Sequence, residues 1–198
     1  MALLDRATSH PDASYSVILK PQRMRVTLED RGGFLELSTD AVTVRVRKSP
    51  INVELCRRRE SLVTNTGLVV GLSGVEMKLS LKPEECIYGT GFRSIPIDRR
   101  GHRLALYNKP HFDYQTNVED INYCIPLAIS SQRYMILFDN VEKGYMDIGK
   151  SSKDEMTFGA IGGELVYYFI SDDSYLRSET FSDTLRGPLA FFFGQTEG

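Results

Sequence analysis

The residues best equipped for chemistry gather in one stretch, 109–122, where Lys109, His111, Asp113, Asn117, Glu119 and Asp120 are interleaved with Phe112 and Tyr114. Polar side chains in such a stretch offer hydrogen-bonding groups, and its aromatic rings offer flat apolar faces on which a ligand can stack. Tyr107 leads into the stretch. For Tyr107 packing in the core is an equal reading, and for Phe112 and Tyr114 so is anchoring of the loop. A polar segment this long between two apolar runs is uncommon inside a compact domain and is often functional.

Elsewhere the chemistry thins out. His10 sits in a polar N-terminal stretch and reads as solvent-exposed; His102 lies among arginines and reads as a surface residue. His111 reads first as a solvated or satisfied imidazole and second as a ligand contact. Cys56, Cys86 and Cys124 are scattered, form no C-x-x-C pair and have no histidine at metal-ligand spacing. Cys124, inside the apolar run YCIPLAI, reads as a buried inert thiol, and no nearby base predicts a thiol nucleophile. Glu119 and Asp120 bring two carboxylates without the further spaced oxygens that calcium requires. No metal, no cofactor and no Ser/His/Asp or Cys/His set is predicted. The group Asp98, Arg99 and Arg100 reads as an ion-pair network fixing a turn.

The elements that must position these residues are strands. With 198 residues, 41% hydrophobic and 25% charged, the chain can bury one substantial core. Net charge is −2, with Lys and Arg dispersed among Asp and Glu, so a nucleic-acid or anionic-membrane partner is not predicted. The run Arg57, Arg58, Arg59 is followed by Glu60 and reads as a solvated strand end or turn. No apolar run is long enough for a signal peptide or a bilayer span, and the absent disulfide framework favours a reducing compartment, so a cytoplasmic location is expected.

Period-two alternation dominates the pattern. Met24, Val26 and Leu28 alternate with charged or polar neighbours, as do Val42, Val44 and Val46, and again Val75, Met77, Leu79 and Leu81. Strand side chains point to opposite faces in turn, so these segments predict half-buried antiparallel strands. YMILF and LVYYFI are continuously apolar and predict strands covered on both faces. Turn signals fall at Asp30 to Gly33, Asn65 to Gly67, Asp139–Asn140, Gly162–Gly163 and from Ser171 onward. Gly162–Gly163 is expected to close a hairpin between MTFGA and ELVYY. Frequent turns without helical periodicity predict an all-β antiparallel sandwich with little helix. Residues 1–20 read as an extended lead-in, 21–172 as the sandwich, and 173–198 as a linker into whatever follows.

Six short elements carry a family resemblance. Tyr88, Gly89 and Gly91 form a Tyr-Gly-x-Gly turn, and Asp98, Arg99, Arg100 and Gly101 follow it. Then come Tyr107–Asn108, Ile125–Pro126, Asp139–Asn140 and the Gly-Gly-Glu-Leu segment from Gly162 to Leu165. Their order and spacing resemble the all-β domain, a galactose-mutarotase-like supersandwich, that precedes the catalytic barrel of family 31 glycoside hydrolases, the α-glucosidases and α-xylosidases. Phe92 stands where many members have glutamate, and Pro110 where a strand-ending aspartate reaches toward sugar hydroxyls; Lys109, His111 or Asp113 are placed to substitute for it.

The resemblance implies an N-terminal module of an enzyme that hydrolyses terminal α-glycosidic bonds with retention. The module would pack on a (β/α)8 barrel and lend a loop bearing Asn108, Lys109, His111 and Asp113 to a carbohydrate pocket. Residues 173–198 would then be the linker and first part of that barrel. Retaining hydrolysis needs two carboxylates roughly 5 Å apart. The family's tryptophan-led nucleophile motif has no counterpart here, because the chain contains no tryptophan. The chain alone is therefore expected to be inactive. The alternative is a free-standing carbohydrate-binding or structural sandwich.

Overall fold

A computed structural model describes residues 14, 16–17, 25–108 and 123–171. Lys109, His111 and Asp113, and most of the proposed lead-in and linker, lie outside the described residues. Every described element is a strand, and all pairing is antiparallel.

The chain begins as a meander: β1 (Thr27–Asp30), β2 (Phe34–Ser38), β3 (Val42–Lys48), β4 (Ile51–Arg57), β5 (Glu60–Gly71) and β6 (Gly74–Ser80). β7 (Ile87–Gly91) crosses to a second layer, and β8 (His102–Leu106) returns to the first. β9 (Cys124–Ser130) and β10 (Tyr134–Phe138) belong to the second layer, β11 (Gly144–Ile148) and β12 (Glu155–Ala160) to the first, and β13 (Tyr167–Ser171) to the second. The result is a nine-stranded sheet ordered β1-β2-β3-β4-β5-β6-β12-β11-β8 facing a four-stranded sheet ordered β13-β10-β9-β7. The predicted all-β sandwich is the observed architecture.

Alternation places the core. Val75, Met77 and Leu79 are buried on one face of β6, with Leu81 buried just beyond its end, opposite the polar face that carries Glu76 and Lys78. Phe158 of the large sheet stacks on Phe138 of the small one at 4.2 Å between ring centroids, 3° from parallel. YMILF behaves as its composition predicts, with all five residues of β10 buried. Tyr134, Ile136 and Phe138 face the large sheet. Met135 and Leu137 face the other way into a smaller cluster with Leu127, against which Val17, Ile129 and Tyr168 pack.

Four local expectations are revised. The apolar residues near β1 are exposed, Val26 at 50% and Leu28 at 63%, because β1 is the outermost strand of the long sheet and pairs only with β2. Of LVYYFI, only Tyr167 is buried, because β13 is the edge of the small sheet. Asn65 to Gly67 is a bulge inside β5 rather than a turn: the first part of β5 pairs with β4 and the rest with β6, with the register slipping between them. Gly162–Gly163 does not close a hairpin, since β12 and β13 lie in different sheets. The glycines instead carry the chain from one layer to the other. Asn140 holds that crossing, its amide donating to the carbonyls of Gly162 and Glu164, both at 3.0 Å.

The root of the 109–122 loop

The Tyr-Gly-x-Gly element forms the end of β7, and its backbone is unusual. Gly89, Thr90 and Gly91 adopt φ of 96°, 66° and 95° in succession. Left-handed conformation is cheap for glycine and costly for a β-branched residue. Thr90 is fully buried, and its hydroxyl donates to the Gly89 carbonyl at 2.6 Å. Three such residues in a row shift the pairing of β7 with β9 between Gly89 and Gly91.

Two buried arginines receive these carbonyls. Arg99 donates from Nε to Gly89 O at 3.2 Å and from Nη1 to Ile95 O and Pro96 O at 2.9 and 2.6 Å. Arg93 donates from Nε to Thr90 O at 3.0 Å and from Nη2 to Ala105 O at 2.7 Å, so it ties β7 of the small sheet to β8 of the large one. Burial, and then the charge of Arg93, lower the Arg99 pKa from its ordinary value. The Asp98 carboxylate accepts from the backbone N–H groups of Ile87 and Arg100, both at 3.1 Å. Arg100 donates to the carbonyls of Lys82, Glu85 and Lys153 at 2.6 to 2.7 Å. The expected charge cluster is therefore structural, but it works through backbone groups rather than through ion pairs. A guanidinium presents five donors in a fixed fork, which lets one side chain hold several turn carbonyls at once.

Next to that framework lie the residues that flank the polar segment 109–122, which itself falls outside the described residues. Asn108, just beyond β8, accepts through Oδ1 from the Cys124 N–H at 2.7 Å and from its thiol at 3.2 Å, joining the residues on either side of the loop. The Phe92 N–H donates to Tyr123 O at 3.1 Å, and the Phe92 and Tyr123 rings stack at 6.2 Å, 16° from parallel. Phe92, the departure from the family's glutamate, thus packs its half-exposed ring on Tyr123. Tyr107 is 52% exposed and carries the Lys143 ammonium 5.3 Å from its ring centre, so it lies outside the core. Of the predicted binding residues, Asn108 is positioned here as a clasp, while Lys109, His111 and Asp113 fall outside the described residues. His102 is half-buried on β8 opposite Ile148, away from this mouth. Arg58, at φ 53°, and Arg59 make the exposed β4–β5 turn, as expected, but Arg57 at the end of β4 is buried rather than solvated and donates to Glu60 at 2.6 Å.

Two polar clusters were not legible in the sequence. On the outer face of the large sheet, a groove of about 400 Å³ is lined by residues that include Val69, Glu76, Lys143, Tyr145 and Ile161. The Tyr145 ring packs against Gly159, where an added methyl group would collide with it. Its hydroxyl donates to Glu76 at 2.7 Å, and the Arg103 guanidinium sits 3.9 Å above the ring centre. Burial, and then the hydrogen bond to Glu76, push the Tyr145 hydroxyl up to about 12, so it remains a donor. Arg103 thus occupies one face of the ring. The second cluster surrounds Glu85, which is 1% exposed. Its Oε1 accepts from the hydroxyls of Ser130 and Tyr134, the latter at 2.6 Å, and its Oε2 from the Lys82 N–H at 2.8 Å. A carboxylate so engaged is a structural post rather than an acid or a nucleophile. Among the described residues no group of three or more His, Cys, Asp and Glu is arranged to hold a metal.

The family model described as the glycosyl hydrolase 31 N-terminal galactose mutarotase-like domain matches residues 3–147. The chain belongs to this family. Among solved structures it is similar to the family 31 dextranase of Flavobacterium johnsoniae, with TM-score 0.77 and 27% identity over 83% of this chain. It shares its fold with a family 31 α-xylosidase from a soil metagenome, with TM-score 0.69 and 13% identity over 88% of the chain. In sequence it is 31% identical over 93 residues to the α-xylosidase XylQ of Lactiplantibacillus pentosus. The chain spans 21% of the dextranase and 12% of XylQ, so it corresponds to one domain of much longer polypeptides. In this mutarotase-like domain the arginine-braced Tyr-Gly-x-Gly turn lies beside the Asn108 clasp that joins the end of β8 to the start of β9.

Proposed function

We propose that this domain is the N-terminal module of a retaining α-glycoside hydrolase, that it packs on a following catalytic barrel, and that it lends the 109–122 loop to the sugar pocket. The observation that carries the reading is the braced loop mouth: the Asn108–Cys124 bonds and the Phe92–Tyr123 stack fix both ends of a polar segment. A rigid base is what a binding loop needs, because ordering a free loop consumes most of the free energy that a few sugar hydrogen bonds return. Lys109, His111 and Asp113 are the side chains to contact hydroxyls, with the exposed Tyr107 at the rim. The catalytic carboxylate pair belongs to the barrel, and the domain's contribution is substrate orientation. Exposed apolar side chains at Phe92, Ile97 and Tyr107 support a surface that meets further protein.

The test is kinetic, in the longer polypeptide that carries this domain. With aryl α-glucosides and α-xylosides as substrates, Asp113→Ala and His111→Ala should raise KM or lower kcat/KM by about tenfold or more, while the isolated chain shows no turnover and only millimolar or weaker sugar binding. Unchanged kinetics in both variants, or a polypeptide without a barrel, sinks the reading. Micromolar sugar affinity in the isolated chain, abolished by the same substitutions, would establish a self-sufficient binding module instead.

A further inference from the structure

Among the described residues the second half of β5 is an unguarded sheet edge. Over Gly67 to Gly71 it pairs with β6 on one side, while on the other side the pairing with β4 ends at Thr64. Among the described residues no strand covers that edge. Leu68 is 43% exposed, Val69 59% and Val70 64%, so both faces of the strand as well as its edge meet solvent. Proteins ordinarily blunt such an edge with charge or proline, yet residues 64–73, TNTGLVVGLS, contain neither.

The same stretch is complementary to itself. If two copies pair antiparallel about a two-fold axis through Val69, Gly67 meets Gly71 of the other copy, Leu68 meets Val70, and Val69 meets Val69. Every cross-strand pair is then apolar with apolar or glycine with glycine, and no like charges face each other. We infer that the Gly67–Gly71 edge is a self-association surface, and that its partner is a second copy of this chain added as an antiparallel strand.

A contact of one short strand is small, so the dimer should be weak, with a dissociation constant on the order of 10 to 100 µM. Sedimentation velocity of the full chain over a concentration series should show a reversible monomer–dimer equilibrium. Val69→Lys, which sets two ammonium groups face to face on the axis, should weaken the dimer by about tenfold or more. Leu28→Lys, at a site 63% exposed on β1 and four strands away across the sheet, should leave it unchanged. The register has its own readout. Val69→Cys should form an intermolecular disulfide under mild oxidation, whereas Val70→Cys, facing Leu68 of the other copy, should not exceed the unsubstituted chain, whose own thiols are buried or half-buried. A chain that stays monomeric throughout, a dimer indifferent to Val69→Lys, or faster cross-linking at position 70 than at 69 overturns the inference. So does slow exchange, in a monomer, of those amides of 67–71 that point away from β6, which would mean that the chain covers its own edge.

Discussion

Replacing Gly91 by alanine tests the argument about the Tyr-Gly-x-Gly turn most directly, because two other glycines provide the controls. At Gly91 the added methyl carbon would stand 2.5 Å from Tyr123 O, 2.7 Å from Cys124 Cα and 2.9 Å from Ile125 N, in a backbone held at φ 95°. All three obstacles are main-chain atoms of the returning strand, so no side chain can rotate away, and β9 must move off β7. Gly101 has a similar φ of 85° but nothing within 4 Å, and Gly33 has open space and no left-handed φ. Gly101→Ala therefore carries only the left-handed penalty, about 1–2 kcal/mol. Gly33→Ala should be neutral or stabilising by up to about 1 kcal/mol through the unfolded chain. Gly91→Ala adds the collision to the left-handed penalty and should cost about 3–5 kcal/mol, a large share of the stability of a domain this size. In urea denaturation, with a slope of about 2 kcal/mol/M, the midpoint should fall by about 2 M for Gly91→Ala and by less than 1 M for Gly101→Ala. Equal midpoints for those two variants would refute the close approach of β7 and β9 and the account of the loop mouth that rests on it.

Arg99→Met removes the donors to three carbonyls and should destabilise by about 2–4 kcal/mol, with Arg99→Lys recovering only part because an ammonium lacks the planar fork; equal stability of Arg99→Met and the parent would contradict the bracing role. Glu85→Ala strands the Ser130 and Tyr134 hydroxyls and the Lys82 N–H, at a cost of about 3 kcal/mol or more, whereas Tyr134→Phe should cost about 1 kcal/mol; chemical denaturation of both variants checks the order. Acidification should lower the melting temperature. Hydrogen bonds from Arg45, Arg57 and Lys48 hold the carboxyls of Glu36, Glu60 and Asp30 below their ordinary values of 4.5, 4.5 and 3.8. Stability from depressed carboxylates is complete above the unfolded values and is lost as pH falls from about 4.5 through the lowered folded values. A thermal melt series from pH 7 to 3 should show that loss, and Arg45→Met should flatten it; a melting temperature that rises on acidification would reverse the sign of the argument.

Strand existence was legible because it is a local property. Alternation at Val75, Met77 and Leu79, or continuous apolarity through Tyr134 to Phe138, records how many faces of a strand are covered, and burial followed the pattern in both cases. The family elements were equally legible, since Tyr88, Gly89 and Gly91 announce a backbone that few other residues tolerate. Partner choice was not. MTFGA and ELVYY look like the arms of a hairpin, yet they enter opposite sheets, because the strand that completes the small sheet comes from beyond β12 and Asn140 holds the crossing from a distant turn. Similarly, nothing near Leu28 distinguishes an outermost strand from a buried one; coverage depends on where the second sheet ends. The charges of Asp98, Arg99 and Arg100 suggested ion pairs, while the fold turned the carbonyls of Gly89, Ile95 and Pro96 toward Arg99. Side-chain periodicity encodes the faces of a strand, but hydrogen-bond partners, edges and the three-dimensional setting of Asn108 arise from contacts between residues far apart in sequence, and only the assembled sandwich sets them.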